Sequence, residues 1–168
     1  IKLGKLSELR FIYAPLERQE DARVGGRIKG NISGFDMSFM GGYFAGDRVW
    51  GADVAHNLGG AMVRGEFAYT HPLNGEDRWA LIAGWDTSLP HNIYTLVEFY
   101  HQSQGASRKS LYYEVMPLFK EGIIYGLARD YIALQTVWEI VALLRLSNTF
   151  VFNCLDGSAF TGPSLSYD

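Results

Sequence analysis

Hydrophobic and polar residues alternate along one predicted strand after another, and this repetition restricts the fold more than any other feature of the sequence. Between Asp77 and Gln102, two apolar-rich runs flank a short Ser-Leu-Pro-His turn. Because successive side chains of a strand point to opposite faces, each run presents one apolar and one polar face. The alternation predicts half-buried β-strands joined by turns.

Ten such strands can be placed between turn signals rich in Gly, Asn and Asp. Strands of similar length at regular spacing predict an all-β fold, an antiparallel up-and-down meander in a single domain over residues 1–168. Most of them have the 9–11 residues that cross a bilayer at a tilt. The predicted strands are residues 8–14, 23–32, 35–44, 48–56, 60–70, 77–87, 92–102, 129–139, 144–154 and 159–168.

Two segments also fit other structures. Residues 130–147 carry apolar side chains at helical spacing, and the proposed turn at Val141–Leu144 has no Gly, Pro, Asn or Asp. Two strands are the favoured interpretation, because both neighbouring segments alternate. Residues 113–127, inside a long outer loop predicted at 103–128, fit a helix, a folded loop or a strand pair interrupted by Pro117.

The predicted connections alternate in length. Those after the first and seventh strands are long and polar, whereas the even-numbered ones are short. An up-and-down membrane barrel has this asymmetry, with long outer loops and short turns on the other side.

The composition of the two faces favours a transmembrane β-barrel, closed or incomplete, of about ten strands. The polar faces carry only one or two charges per strand, whereas a soluble exterior typically carries many Lys and Glu. The apolar faces carry aromatic residues near strand ends, as lipid-facing girdles do. The residues expected to line the lumen are Arg27, Asp53, Arg64, Glu66, Arg78, Asp86, Glu98, Gln135, Glu139 and Arg145, and the aromatics expected at the lipid interface are Trp50, Tyr69, Trp79, Trp85 and Trp138.

Charges in a narrow lumen are expected to pair, because an unpaired charge there is costly. Arg64, Glu66, Arg78, Glu98 and Arg145 have the mixed signs that such a network needs.

Longer stretches of the sequence resemble bacterial outer-membrane β-barrel proteins of the porin-like kind. The run "GFDMSFMGGYFAGDRVWGADVAHNLGGAMVRGEFAYT", with "YTLVEFYHQSQG" and "GPSLSYD", carries the resemblance. Its pattern is a strand, a Gly-Asp or Gly-Gly turn, and a strand with an inward Arg-x-Glu, here Arg64-Gly65-Glu66. The resemblance implies an up-and-down barrel in the bacterial outer membrane and assigns no catalytic residue.

Two features depart from that pattern. The turn at Val141–Leu144 lacks polar breakers, and the end at Ser166-Tyr167-Asp168 lacks the terminal aromatic residue typical of a final strand. Ten strands are therefore expected to be a minimum. The start at Ile1, without Met, is interpreted as a mature segment or a fragment.

Several classes of chemistry are disfavoured. A net charge of −3 gives no electrostatic footprint for nucleic acid. The single Cys154 has no cysteine partner, and the four histidines show no metal-ligand spacing, so neither a metal nor a cofactor is expected. Ser147 or Ser164 with His101 is the conceivable hydrolase arrangement, but no motif supports it, and no enzyme activity is expected.

The leading hypothesis is therefore an outer-membrane β-barrel that passes small hydrophilic solutes or serves structurally, with the lipid bilayer as its partner. Lipopolysaccharide phosphates are a candidate partner of Arg108-Lys109, with a solvated loop as the alternative, and a homo-oligomer stays open. The rival hypothesis is a soluble β-barrel that binds an apolar ligand, with Trp79, Leu81, Phe99 and Phe150 turned inward.

Overall fold

The fold is almost entirely β-structure. The structure, a computed structural model, describes residues 2–4, 7–14 and 23–167, with the side chains of 2–4 outside that description. The predicted polar link at 15–22 also lies outside the described residues. The strands are β1 Lys2–Gly4, β2 Ser7–Ala14, β3 Arg23–Ile32, β4 Phe35–Phe44, β5 Asp47–Leu58, β6 Ala61–His71, β7 Arg78–Leu89, β8 Ile93–Gln102, β9 Asp130–Val141, β10 Leu144–Asn153 and β11 Ala159–Tyr167. A 3-10 helix at Lys109–Leu111 leads into the α-helix α1, Tyr112–Lys120.

The strand order follows the chain from β1 to β11. Each strand in it neighbours the strands that precede and follow it in sequence, so the topology is an up-and-down meander, and the order does not return from β11 to β1. The registers of β2 to β5 and of β8 to β11 are antiparallel. The prediction of an all-β, antiparallel meander is confirmed, and β1 is an additional short strand.

The ambiguous segment at 130–147 forms two strands, so its helical alternative is wrong. Leu134 of β9 faces Val97 of β8 on one side and Phe150 of β10 on the other. Pairing on both sides satisfies the backbone of β9, which overrides the local helical spacing. The turn is the apolar pair Ala142–Leu143, followed by a register shift between Leu144 and Arg145.

The segment from Ser103 to Arg129 contains the one α-helix of the described residues. Of the three alternatives for residues 113–127, the helix is confirmed at Tyr112–Lys120, with Pro117 inside it. A strand pair in this region is wrong. Outside its two helices, the segment consists of turns and bends. An isolated parallel bridge between Ala106 and Ala128 brings its two ends together.

Two-residue turns set the register of the hairpins. Ser33 and Gly34 have φ values of 53° and 86°, and Ala45 and Gly46 have values of 52° and 93°. Two successive residues with positive φ form the turn whose twist matches that of paired strands. These turns keep β3, β4 and β5 in one uninterrupted register.

The chain divides into two compact units. Unit 1 holds Ile1–Asn57 and Arg64–Leu81, and unit 2 holds Leu58–Val63 and Ile82–Asp168.

In both units the register separates one apolar face from one polar face. In unit 1, Ile28, Phe39 and Ala52 lie opposite one another on β3, β4 and β5. In unit 2 the corresponding row is Val97, Leu134 and Phe150. These rows define the apolar face of each unit, and the side chains between them point to the polar face.

Large hydrophobic side chains of the apolar face are exposed. The buried hydrophobic side chains of the described residues are Ala106, Ile124 and Ala128, all within the segment between β8 and β9. The sheet residues that the structure describes therefore contribute no enclosed apolar core. Exposed members of the apolar faces are Ile28, Met37, Phe39 and Trp50 in unit 1 and Phe99, Leu134 and Trp138 in unit 2. Phe67, Trp79 and Trp85 are also exposed.

Candidate functional site: the polar face of the sheet

Burial is concentrated on the polar face. Ser38, Gln102 and Asn153 are the buried polar side chains of the described chain, with 7%, 3% and 9% of their surface exposed. All three lie on the polar face by register. A soluble half-buried sheet has the opposite arrangement, with its apolar side covered.

In unit 1 the polar face is organised by ion pairs. Arg27 Nη2 donates to Asp53 Oδ2 at 2.9 Å, and Arg27 Nε donates to Ser38 Oγ at 2.9 Å. The Ser38 hydroxyl also donates to the Asp53 carboxylate. Three consecutive strands, β3, β4 and β5, each contribute one member, because the register aligns Ser38 with Asp53 directly.

A second ion pair in unit 1 organises a loop. Arg78 Nη2 lies 2.9 Å from Asp47 Oδ2, and Asp47 Oδ1 accepts a hydrogen bond from the Leu73 backbone N–H at 3.1 Å. The carboxylate of Asp47 therefore binds both the start of β7 and the connection that precedes it.

In unit 2 the polar face is organised by uncharged groups around Gln102. Its Nε2 donates to the carbonyl oxygens of Gly126 at 2.5 Å and Ala128 at 2.7 Å. Its Oε1 accepts from the Tyr100 hydroxyl at 2.9 Å and from the Tyr125 backbone N–H at 3.0 Å. This side chain thus satisfies backbone groups that would otherwise be costly to bury.

A second group of hydrogen bonds fixes the start of α1. The Tyr112 hydroxyl donates to Asp156 Oδ2 at 2.9 Å and accepts from Asn153 Nδ2 at 3.0 Å. Hydrogen bonds from the Ser158 hydroxyl and backbone N–H, then from Tyr112, together with the charge of Lys109, lower the pKa of Asp156. Burial is the main cause that raises the pKa of Tyr112.

The segment between β8 and β9 consequently lies against the polar face of unit 2. Tyr100, Tyr131 and Asn153 stand opposite one another on β8, β9 and β10. The Tyr131 hydroxyl accepts from the Ala128 backbone N–H at 2.8 Å, so each strand contributes a side chain that contacts or supports the segment.

The predicted lumen residues occupy the polar side of their strands where the register is defined. Arg27 pairs with Asp53, and Glu139 pairs with Arg145 at 2.8 Å. Of the predicted five-residue network, Arg78 and Arg145 find their partners outside it, in Asp47 and Glu139. The remaining predicted residues lie on β6, β7, β8 and β9, respectively Arg64 and Glu66, Asp86, Glu98, and Gln135.

The predicted interface aromatics are exposed or half-exposed. Trp50, Trp79, Trp85 and Trp138 expose 47%, 40%, 41% and 41% of their surface. Phe39 stacks on Trp50 with ring centroids 6.3 Å apart.

Tyr69 differs from the tryptophans because its hydroxyl is engaged. It donates to Asp77 Oδ2 at 2.5 Å, and His71 Nδ1 lies 2.6 Å from Asp77 Oδ1. Hydrogen bonds from Tyr69 and then His71 lower the pKa of Asp77, which stands in the connection before β7.

Sequence reasoning missed the residues that complete the polar face. Ser38 is uncharged, and Asp47 precedes the predicted strand at 48–56, whereas β5 begins at Asp47. Gln102, Tyr112 and Asn153 gain their roles from contacts with a segment far away in sequence, and no local pattern marks such contacts. A search for uncharged polar residues on the charged side of each strand would have found Ser38 and Gln102.

His101 and the conceivable serine partners, Ser147 and Ser164, lie on opposite sides of the strands of unit 2. His101 Nδ1 lies 2.7 Å from Asp130 Oδ1 on the apolar side of β8 and β9, whereas Ser147 stands opposite Ser164 on the polar side. Ser147 is opposite Val137, seven positions along β9 from Asp130. Within the ranges 2–4, 7–14 and 23–167, no group of three or more His, Cys, Asp or Glu residues is placed to hold a metal ion.

Models of known protein families do not match the chain, and no curated protein matches it either. In the part of the chain that the structure describes, no helix is both long and apolar enough to span a membrane.

Proposed function

We propose that the chain is a β-barrel component of the bacterial outer membrane, with its apolar face against lipid and its polar face lining an aqueous interior. Small hydrophilic solutes pass along that interior, or the barrel serves structurally where the interior is filled.

The sidedness of burial is the observation that carries the proposal. On β9, Ile132 and Leu134 are exposed, whereas the intervening Ala133 and Gln135 are half-buried. Exposure of a row of large apolar side chains to water is unfavourable, and contiguous apolar patches above a few hundred Å² are rare on soluble monomers. Hydrocarbon removes that cost, and an outward apolar band is the arrangement of membrane barrels.

The soluble alternative requires Trp79, Leu81, Phe99 and Phe150 to surround an interior. Trp79 and Phe99 expose 40% and 37% of their surface, and Leu81 and Phe150 are half-buried. Enclosure of an apolar ligand normally buries most of the ligand in a concave apolar pocket. Ile28, Phe39 and Leu81 of unit 1 do line a recess of about 720 Å³, but this recess is open. Because it is open and Trp79 and Phe99 remain exposed, the geometry supports the membrane proposal over this alternative.

Two features support an aqueous and narrow interior. The side chains of Arg27, Asp53, Glu139 and Arg145 are 39% to 57% exposed, so water reaches these ion pairs. The segment between β8 and β9 occupies part of the polar face of unit 2, which limits passage there to small solutes.

Closure of the barrel requires a further pairing for β11, which has one neighbour in the strand order. Assembly of several copies is one way to supply that pairing.

Tryptophan fluorescence gives a direct test of lipid contact, because all four tryptophans of the chain are at least 40% exposed. Lipids with brominated acyl chains are expected to quench their emission in reconstituted vesicles, whereas aqueous acrylamide quenches it weakly. Strong acrylamide quenching of a protein that stays monodisperse in plain buffer would contradict the membrane proposal.

A matched pair of substitutions tests the two faces. Leu134→Arg and Gln135→Arg place the same charge at adjacent positions of β9, on the apolar and polar sides. Near mid-membrane the first is expected to cost about 2–4 kcal/mol in the free energy of unfolding from lipid, and the second much less. Equal effects of the two substitutions would exclude lipid on the Leu134 side.

Planar bilayers test solute passage separately. Purified protein is expected to produce discrete conductance steps, and the Gln135→Arg variant to change their size. Lipid quenching of tryptophan without any conductance would retain the barrel and leave its structural role as the function.

A further inference from the structure

A row of cations crosses the polar face of unit 1 at β2 and β3. Arg10 of β2 stands directly opposite Arg27 of β3, and Lys29 follows on the same face, opposite Glu8. Like charges directly opposite each other on paired strands are destabilising. The chain nevertheless places two guanidinium groups in register, which raises the question of what compensates them.

Internal partners compensate this row only in part. Arg10 donates a hydrogen bond from Nε to the Glu8 carboxylate. Arg27 donates from Nη2 to Asp53 and from Nε to Ser38. Among residues 2–4, 7–14 and 23–167, no hydrogen bond or ion pair engages the Lys29 ammonium. Within those ranges, three cations therefore meet the carboxylates of Glu8 and Asp53, and the ammonium donors of Lys29 are still available.

These side chains surround a small recess. Glu8, Arg10, Arg27 and Lys29 line a depression of about 100 Å³. A recess of this volume has room for a compact ion together with water.

We infer that this recess binds a compact oxyanion such as inorganic phosphate or sulfate. Guanidinium and ammonium groups donate charge-assisted hydrogen bonds to such oxygens, and two neighbouring guanidinium groups present several N–H donors to one anion. A bound dianion would also relieve the repulsion between Arg10 and Arg27. The site depends on the polar face of unit 1 and not on solute passage.

Equilibrium titration tests the site without any need for conductance. Protein in an uncharged detergent is titrated with inorganic phosphate at constant ionic strength, and the Nε–Hε resonances of Arg10 and Arg27 are followed by NMR. Saturable shifts of both resonances are expected. Lys29→Gln is expected to weaken the apparent affinity about fivefold, as the loss of one exposed ion pair would.

Lys120→Gln is the matched control, because it removes one positive charge from the exposed end of α1. It should leave the phosphate affinity unchanged. Lys29 makes no bond within the described chain, so its substitution is not expected to disturb folding.

Three outcomes would overturn the inference. The first is that chloride shifts the Arg10 and Arg27 resonances as much as phosphate does. The second is that Lys29→Gln and Lys120→Gln weaken the phosphate affinity equally. The third is that the resonances shift only when the micelle contains an anionic phospholipid. Phosphate binding in a protein without conductance would refute solute passage and leave the anion site intact. Conductance without phosphate binding would refute the anion site and leave solute passage intact.

Discussion

The polar faces of the two units are stabilised by different chemistry. In unit 1 the central contact is the ion pair of Arg27 and Asp53, whose side chains are 44% and 39% exposed. In unit 2 it is the amide of Gln102, which is 3% exposed and contacts the backbone of a folded segment. An ion pair on the polar face of unit 2, Glu139 with Arg145, is more than half exposed.

Access of water explains the difference. Removing a charge from water costs desolvation free energy that the attraction of its partner often does not offset. A buried amide, by contrast, can make all of its hydrogen bonds to backbone groups. Arg27 and Asp53 therefore stand where solvent reaches them, and the neutral Gln102 stands where backbone covers the face.

The largest expected effect comes from removing the buried amide. Gln102→Leu leaves the carbonyls of Gly126 and Ala128, the Tyr125 N–H and the Tyr100 hydroxyl without this partner. The free energy of unfolding is expected to fall by about 3–5 kcal/mol, because each buried group left unpaired costs about 1–3 kcal/mol. Urea unfolding in detergent measures it, and protease should cut residues 103–129 faster.

Gln135→Leu is the control for that substitution, because Gln135 lies on the same face but is only half-buried. Its effect should stay below about 1 kcal/mol. Similar losses in the two variants would remove the proposed distinction between covered and solvated polar positions.

A smaller effect is expected where the segment joins β10. Tyr112→Phe removes the hydroxyl that links α1 to Asn153 and Asp156, and should cost about 1 kcal/mol in the free energy of unfolding. The neighbouring Tyr113→Phe is the matched control, because Tyr113 is 89% exposed. A null result for Tyr112→Phe would mean that the hydroxyl does not hold the segment.

The solvated ion pair of unit 1 is expected to contribute less. A double-mutant cycle with Arg27→Gln and Asp53→Asn should give a coupling energy of roughly 0.2–1 kcal/mol that decreases at high salt. Coupling of several kcal/mol, insensitive to salt, would show that this pair is shielded from water and would remove the contrast with unit 2.

The smallest expected effect is a pH dependence at the edge of the covered face. Because the pKa of Asp156 is lowered in the folded chain, its charged form stabilises the protein above about pH 3.9, the ordinary value for Asp. That contribution is lost as the pH falls through the folded-state pKa. The melting temperatures of the wild type and Asp156→Asn should therefore converge in acid, and a constant difference down to pH 2 would contradict this.

Most of the fold could be predicted from local pattern. Side-chain alternation and turn residues placed β3 and β4 at their observed bounds and the other eight predicted strands within two residues or so of theirs. Alternation has a period of two in every strand, so it also assigned Arg27, Asp53, Glu139 and Arg145 to the polar faces of their own strands before any pairing was known.

The candidate site was less predictable, because its partners are distant in sequence. Asp47 pairs with Arg78, and Gln102 binds Gly126 and Ala128. Local periodicity also fits either a helix or two strands at residues 130–147. The pairing of β9 with β8, a strand distant in sequence, decides in favour of strands.

The sequence by itself determined the strands, their order along the chain and the chemistry of each face, since these follow from local periodicity and turn conformation. The tertiary structure alone decided which face is covered and which side chains meet there. Burial depends on what packs against a surface, and here a segment of 27 residues folds back onto the polar side of unit 2 while the apolar side stays exposed.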